Sequence, residues 1–172
     1  MKRILGMAGA GMLALLVSSC GTGHATAGSG SAGSSTPSTT PTATTAQYAS
    51  IITEREEAWR DYEENILDCA LASVGKSAVD SIKRTTCGYT VMTVTLTARQ
   101  AVTELRLLPD PPAEVATLVE RTVKALDVLA KNPAATVCEV KDSKACDEAI
   151  TRANGEIRPL IPILDAWKPY TR

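Results

Sequence analysis

Tyr48, Ile52, Arg55, Trp59, Tyr62, Ile66 and Cys69 recur at alternating steps of four and three. That spacing places all seven on one stripe of an α-helix, whereas a strand, with its period of two, would throw them to opposite faces. A first helix is therefore expected over about Thr45 to Ser73. Its other faces carry Glu54, Glu56, Glu57, Arg60, Asp61, Glu63, Glu64 and Asp68, a solvated acidic surface. Glu63 and Glu64 are adjacent on that helix and do not face each other as an acid/base pair must.

The same pattern continues along the chain. Val74-Gly75-Lys76-Ser77 marks a turn, and Cys87, Val91, Val94, Ala98, Ala101, Leu105 and Leu108 form the seam of a second helix, about Ala78 to Leu108. Thr90 to Thr97 is rich in β-branched residues, but the seven-residue pattern runs through it unbroken, which favours helix. Leu108-Pro109-Asp110-Pro111-Pro112 ends that segment, with Asp110 expected as N-cap and Pro111 as first residue of a third helix reaching Lys131. The third helix carries the broadest stripe: Val115, Leu118, Val119, Thr122, Leu126 and Leu129. Asn132-Pro133 stops it. After a loop containing Cys138, Asp142 or Ser143 can cap a fourth helix with the seam Cys146, Ala149 or Ile150, Ala153, Ile157, Leu160, Leu164 and Trp167. Pro159 and Pro162 must kink or divide it.

The fold class expected is all-α, a disulfide-stapled four-helix up-down bundle with the fourth helix kinked at its prolines. Residues 47–172 number 126, enough for one compact core, and show no fixed-period repeat. In an up-down bundle Cys69, Cys87, Cys138 and Cys146 gather at one pole. A hairpin centred near Ala78 pairs Cys69 with Cys87 and leaves Cys138 with Cys146, while the two other pairings stay open because all four sulfurs are close. Each bridge is worth about 2–4 kcal/mol. Zinc is the competing use of four cysteines, but the spacings lack C-x-x-C knuckles and residues 47–172 contain no histidine.

At the start of the chain, Lys2 and Arg3 precede an apolar run from Ile4 to Val17, too short for an ordinary transmembrane helix. Val17-Ser18-Ser19-Cys20 then resembles the lipobox of bacterial lipoproteins. The resemblance implies removal of residues 1–19, diacylation of Cys20 through its sulfur, and a protein held on the outer side of the cell membrane. Two acyl chains give stable anchoring where one is marginal.

Residues 20–46 join that anchor to the domain. Gly21 to Ala46 consists of Gly, Ser, Thr, Ala and Pro apart from His24, a composition that builds no core. As a flexible coil its 26 residues span roughly 25–30 Å. Thr36-Pro37-Ser38-Thr39-Thr40-Pro41-Thr42-Ala43-Thr44-Thr45 resembles the Thr/Pro-rich tethers that are O-glycosylated on actinobacterial envelope proteins; plain disorder is the alternative.

Charge narrows the partners. The chain has 18 basic and 19 acidic residues, and loss of Lys2 and Arg3 leaves 16 against 19, so no basic excess serves nucleic acid or anionic lipid. Catalysis finds no support either. Without a histidine in the domain no Ser/His/Asp or Cys/His pair can form, and there is no phosphate loop, H-E-x-x-H or EF-hand pattern. No catalytic residue, metal or cofactor is expected.

Two readings follow. The first is a noncatalytic interaction or scaffolding module of the envelope, whose apolar patch is sought on the third helix or at Trp167-Lys168-Pro169-Tyr170. The alternative is a carrier or sensor of a small apolar or lipid-like ligand held between the helices. Arg55 is the one charged residue in the first seam, and Trp59, Tyr62 and Leu160 would line a gap beside it. If that gap is absent, Arg55 packs its stem at the seam edge and pairs with Glu56 or Asp165.

Overall fold

Thr44 opens the first helix of the computed structural model, which describes residues 42–139 and 143–171. Its side chain accepts from the Gln47 N–H while the Gln47 side chain takes the Thr44 N–H, so two of the orphan donors at the helix start are satisfied. The helices are α1 (Thr45–Glu64), α2 (Ile66–Val74), α3 (Ala78–Leu107), α4 (Ala116–Ala130), α5 (Ala134–Val137), α6 (Lys144–Ile157) and α7 (Ile161–Trp167), followed by a 3₁₀ turn, Lys168–Tyr170. No strand occurs among the described residues. The β-branched window around Thr90 is helical. Thr86, Thr90, Thr93 and Thr97 each donate a hydroxyl hydrogen to the carbonyl one turn back, so polar side chains are satisfied on the helix that carries them. Residues 1–41, 140–142 and 172, with Cys20 and Asp142 among them, lie outside the described residues.

Three local features differ from the sequence reading. The first helix divides at Asn65, because the Asn65 amide donates to the Asp61 carbonyl at 2.7 Å while its own N–H turns to Tyr62. Asp110 caps nothing: the residue before a proline avoids helical angles, so Asp110-Pro111-Pro112 delays α4 until Ala116. Cys138 follows a short helix, α5, rather than sitting in an open loop. The long final segment, expected to kink or divide at its prolines, divides into α6 and α7 across the turn residues Arg158, Pro159 and Leu160. At the other end, Ala43 is buried, so the domain begins a few residues before Gln47.

The expected seams form the core. Tyr48, Ile52, Trp59, Tyr62, Val91, Val94, Ala98, Ala101, Leu126, Leu129, Ile150, Ile157, Leu160, Leu164 and Trp167 are all almost wholly buried. From Tyr48 hydrogen-bonded to the Pro109 carbonyl, through Trp59 bonded to Thr97, to Cys69 bridged to Cys87, α1–α2 and α3 run antiparallel in one register. Both indoles are held alike. Trp59 donates to Thr97 at 3.0 Å and Trp167 to Thr122 at 2.9 Å, each hydroxyl passing its hydrogen to a carbonyl of its own helix. A large apolar ring is thereby buried without orphaning its N–H.

The disulfides are Cys69–Cys87 and Cys138–Cys146. They lie at one end: Gly88, next to Cys87, is so close to the second bridge that a Cβ there would sit 3.3 Å from the Cys146 sulfur. Ser143 caps α6 by accepting from the Cys146 N–H, which sets that cysteine in the first turn.

Candidate interaction surface

The surface that departs most from a solvated bundle is the hairpin of α2 and α3. α2 is the sequence Ile66-Leu-Asp-Cys-Ala-Leu-Ala-Ser-Val74, and it turns Ile66, Cys69 and Ala72 inward. Leu67, Leu71 and Val74, at steps of four and three, share another face and stay in water, 58–74% exposed. Across the turn Val79, Ile82 and Tyr89 of α3 are also more than half exposed. Isolated exposed hydrophobics need no explanation, but six on one hairpin do. The hairpin is firmly built. Ser77 and Asp80 form a capping box at the start of α3, and Arg84 donates to the carbonyls of Ala72, Ser73 and Gly75, closing the end of α2. The hydrogen bonds from Ser77 hold the Asp80 carboxyl below its ordinary pKa.

Beside this hairpin, two concavities of about 400 and 380 Å³ share Asp61, Thr86 and Thr90 and so run together as one groove between α1–α2 and α3. The Cys69–Cys87 bridge lies at one end and Ala58 and Val94 at the other.

The residues singled out as a ligand site have other neighbours. Arg55 is 14% exposed, and its guanidinium binds the Ile51 carbonyl, Glu54 and, at 2.5 Å, Glu104. The expected partners Glu56 and Asp165 pair instead with Arg60, which occupies the next face of α1. Tyr62 donates to Asn154, and burial, with Glu156 adding to it, raises its phenol pKa well above the ordinary value. Trp59 and Leu160 have no exposed surface, and none of the four residues lines either concavity.

The surfaces first suspected of carrying an apolar patch are largely used inside. Trp167 is buried, Tyr170 packs edge-on against it, and Val119, Thr122, Leu126 and Leu129 of α4 face the core.

Residues that spacing arguments passed over also hold the fold. Asn132, read only as a helix stop, is fully buried and binds Ala149, Glu156 and the Ala134 N–H; Arg99 donates to the Ala130 and Asn132 carbonyls. Their one sequence signal is an Asn-Pro after an apolar stripe, which marks a boundary and says nothing of burial. No helix among the described residues is long and apolar enough to cross a membrane. The chain matches no protein-family model, no curated protein and no solved structure.

Proposed function

We propose that this protein is a cell-envelope lipoprotein, anchored by diacylated Cys20, whose helical domain is a noncatalytic module that binds another protein. The observation that carries this reading is the exposed apolar hairpin, with Leu67, Leu71, Val74, Val79 and Ile82 in water on a segment fixed by a disulfide, a capping box and Arg84. A rigid apolar surface loses little conformational entropy on binding, which favours association. The disulfides suit an oxidising compartment. The dense packing of Trp59, Tyr62 and Leu160, with Arg55 already held by Glu104, favours a binding surface over a carrier with a ligand between the helices.

The architecture that fits this role is an up-down bundle of four rods, α1–α2, α3, α4–α5 and α6–α7, the last bent at Pro159 and Pro162. The antiparallel register of α1–α2 with α3, and the bonds from Trp167 to Thr122 and from Tyr62 to Asn154, support that order. The bundle sets the hairpin at the pole remote from residue 45, where the tether joins.

Two measurements test the reading. Cys20→Ser should release the protein from membranes in a carbonate wash, and retention would refute the anchor. A photocrosslinking residue at position 71 in the native host should give a discrete protein adduct that the same residue at exposed Arg121 does not; equal or absent adducts would refute the module.

A further inference from the structure

The groove between α1–α2 and α3 has two chemically different walls. On α1–α2, Glu57, Asp61, Glu64 and Asp68 follow one another at steps of four, three and four, so all four carboxylates stand in one exposed row. Asp61 and Asp68 line the groove itself. Only Asp68 has an ion pair among the described residues, a 3.7 Å contact with Lys83 in which both side chains are more than half exposed, and such a pair yields readily to a better partner. On α3 the wall is Ile82, Thr86, Tyr89, Thr90, Thr93 and Val94, with Lys83, the partner of Asp68, the one cation among its lining residues. The hydroxyl hydrogens of Thr86, Thr90 and Thr93 are committed to carbonyls of their own helix, so apart from Lys83 and the Tyr89 hydroxyl this wall offers mainly carbon surface.

From Ala58 to Cys69 the α1–α2 wall covers 11 residue steps, about 16 Å or three helical turns. A groove of that length, with one wall mainly apolar apart from Lys83 and the other anionic, fits one kind of occupant. We infer that it receives an amphipathic helix of a partner protein, whose apolar ridge lies on Ile82 and Tyr89 and whose Lys or Arg residues, one turn apart, pair with the row Glu57 to Asp68. The inference rests on the interaction-module reading and names the partner's chemistry. A bacterial membrane surface fits less well, because anionic headgroups would meet four carboxylates.

The probe is a synthetic 16-residue helix with a leucine ridge flanked by lysines at i, i+4 and i+7, followed by fluorescence anisotropy and by amide-shift mapping on the isotope-labelled domain, residues 43–172, with its disulfides intact. Binding should weaken as salt rises, and the shifts should fall on Asp61, Asp68, Thr86 and Tyr89. Glu57→Lys/Asp61→Lys should weaken it at least tenfold and Ile82→Ser/Tyr89→Ser similarly; all four positions are exposed, so these variants keep the fold, checked by circular dichroism. A peptide with glutamate in place of lysine should not bind. Equal binding of the two peptides, shifts elsewhere, or preferential binding to phosphatidylglycerol vesicles would overturn the inference. The host crosslinking separates it from the broader reading. Adducts at position 71 with none at 82 or 89 would end the groove and leave the module standing, and adducts at none of the three would end both.

Discussion

Gly88 is where a single methyl group should report how closely the two disulfides are packed. In the middle of a helix alanine is better than glycine by about 0.5–1 kcal/mol, because glycine loses more backbone freedom on folding. At position 88 the new Cβ would lie 3.3 Å from the Cys146 sulfur, 3.6 Å from the Cys138 Cβ and 3.8 Å from the Cys138 sulfur. A carbon–sulfur contact is comfortable near about 3.8 Å, so the first distance is short by about half an ångström. The sulfur cannot rotate away, since it is bonded to Cys138 and its helix start is held by Ser143. Overpacking of this kind costs about 1–3 kcal/mol, which outweighs the propensity gain. Gly88→Ala should therefore destabilise the domain by about 0.5–2 kcal/mol. In a Cys138→Ala/Cys146→Ala background the crowding sulfurs are gone, and the same substitution should stabilise by about 0.5–1 kcal/mol. Urea unfolding of the four proteins, monitored by the two buried tryptophans, gives the cycle. With a slope near 2 kcal/mol/M, each 1 kcal/mol moves the midpoint by about 0.5 M. A stabilising effect with the bridge intact, or the same effect in both backgrounds, would refute the close packing of α3 on that bridge.

Other expectations are simpler. Cys69→Ala/Cys87→Ala opens a loop of sequence separation 18 and should cost about 3 kcal/mol in urea, against about 2.5 for the shorter Cys138–Cys146 loop; an inverted order would contradict loop-closure control. Thr95 is fully buried and its hydroxyl has no hydrogen-bond partner among the described residues, so Thr95→Val should raise stability by about 1 kcal/mol, whereas a loss of that size would mean the hydroxyl is satisfied. Tyr62 keeps its proton in the folded state beyond the pH at which an unfolded tyrosine ionises near 10. Its contribution is therefore intact below about pH 10 and declines as pH rises further. Stability measured from pH 8 to 11 should fall at the alkaline end, and Tyr62→Phe, though less stable throughout, should show a shallower fall; an unchanged slope would count against the buried phenol.

Much of the fold was legible because it depends on periodicity. Alternating steps of four and three located the inward faces of α1, α3, α4 and α6–α7, and the hairpin centre placed Cys69 opposite Cys87. Capping was legible where a Ser or Thr stood in open sequence, as at Ser143, and misleading at Asp110, where two prolines hold the backbone out of the helix. The break at Asn65 depends on local competition for a carbonyl, which an apolar pattern does not register, whereas the division into α6 and α7 falls where Pro159 stands.

The candidate surface was less legible. Leu67, Leu71 and Val74 have the same hydrophobicity as core residues, and only the packing of α2 through Cys69 and Ala72 leaves them in water. Whether Arg55 meets a ligand or a carboxylate depends on Glu104, 49 residues away, brought near by the α1–α3 register. By itself the sequence determined that the chain is helical, which faces turn inward and how the first hairpin aligns, since these follow from the pitch of the helix and from where charge can afford to be buried. Only the tertiary structure decided that one apolar face finds no partner and that a groove with unlike walls runs beside it, because exposure and charge pairing depend on which helices become neighbours.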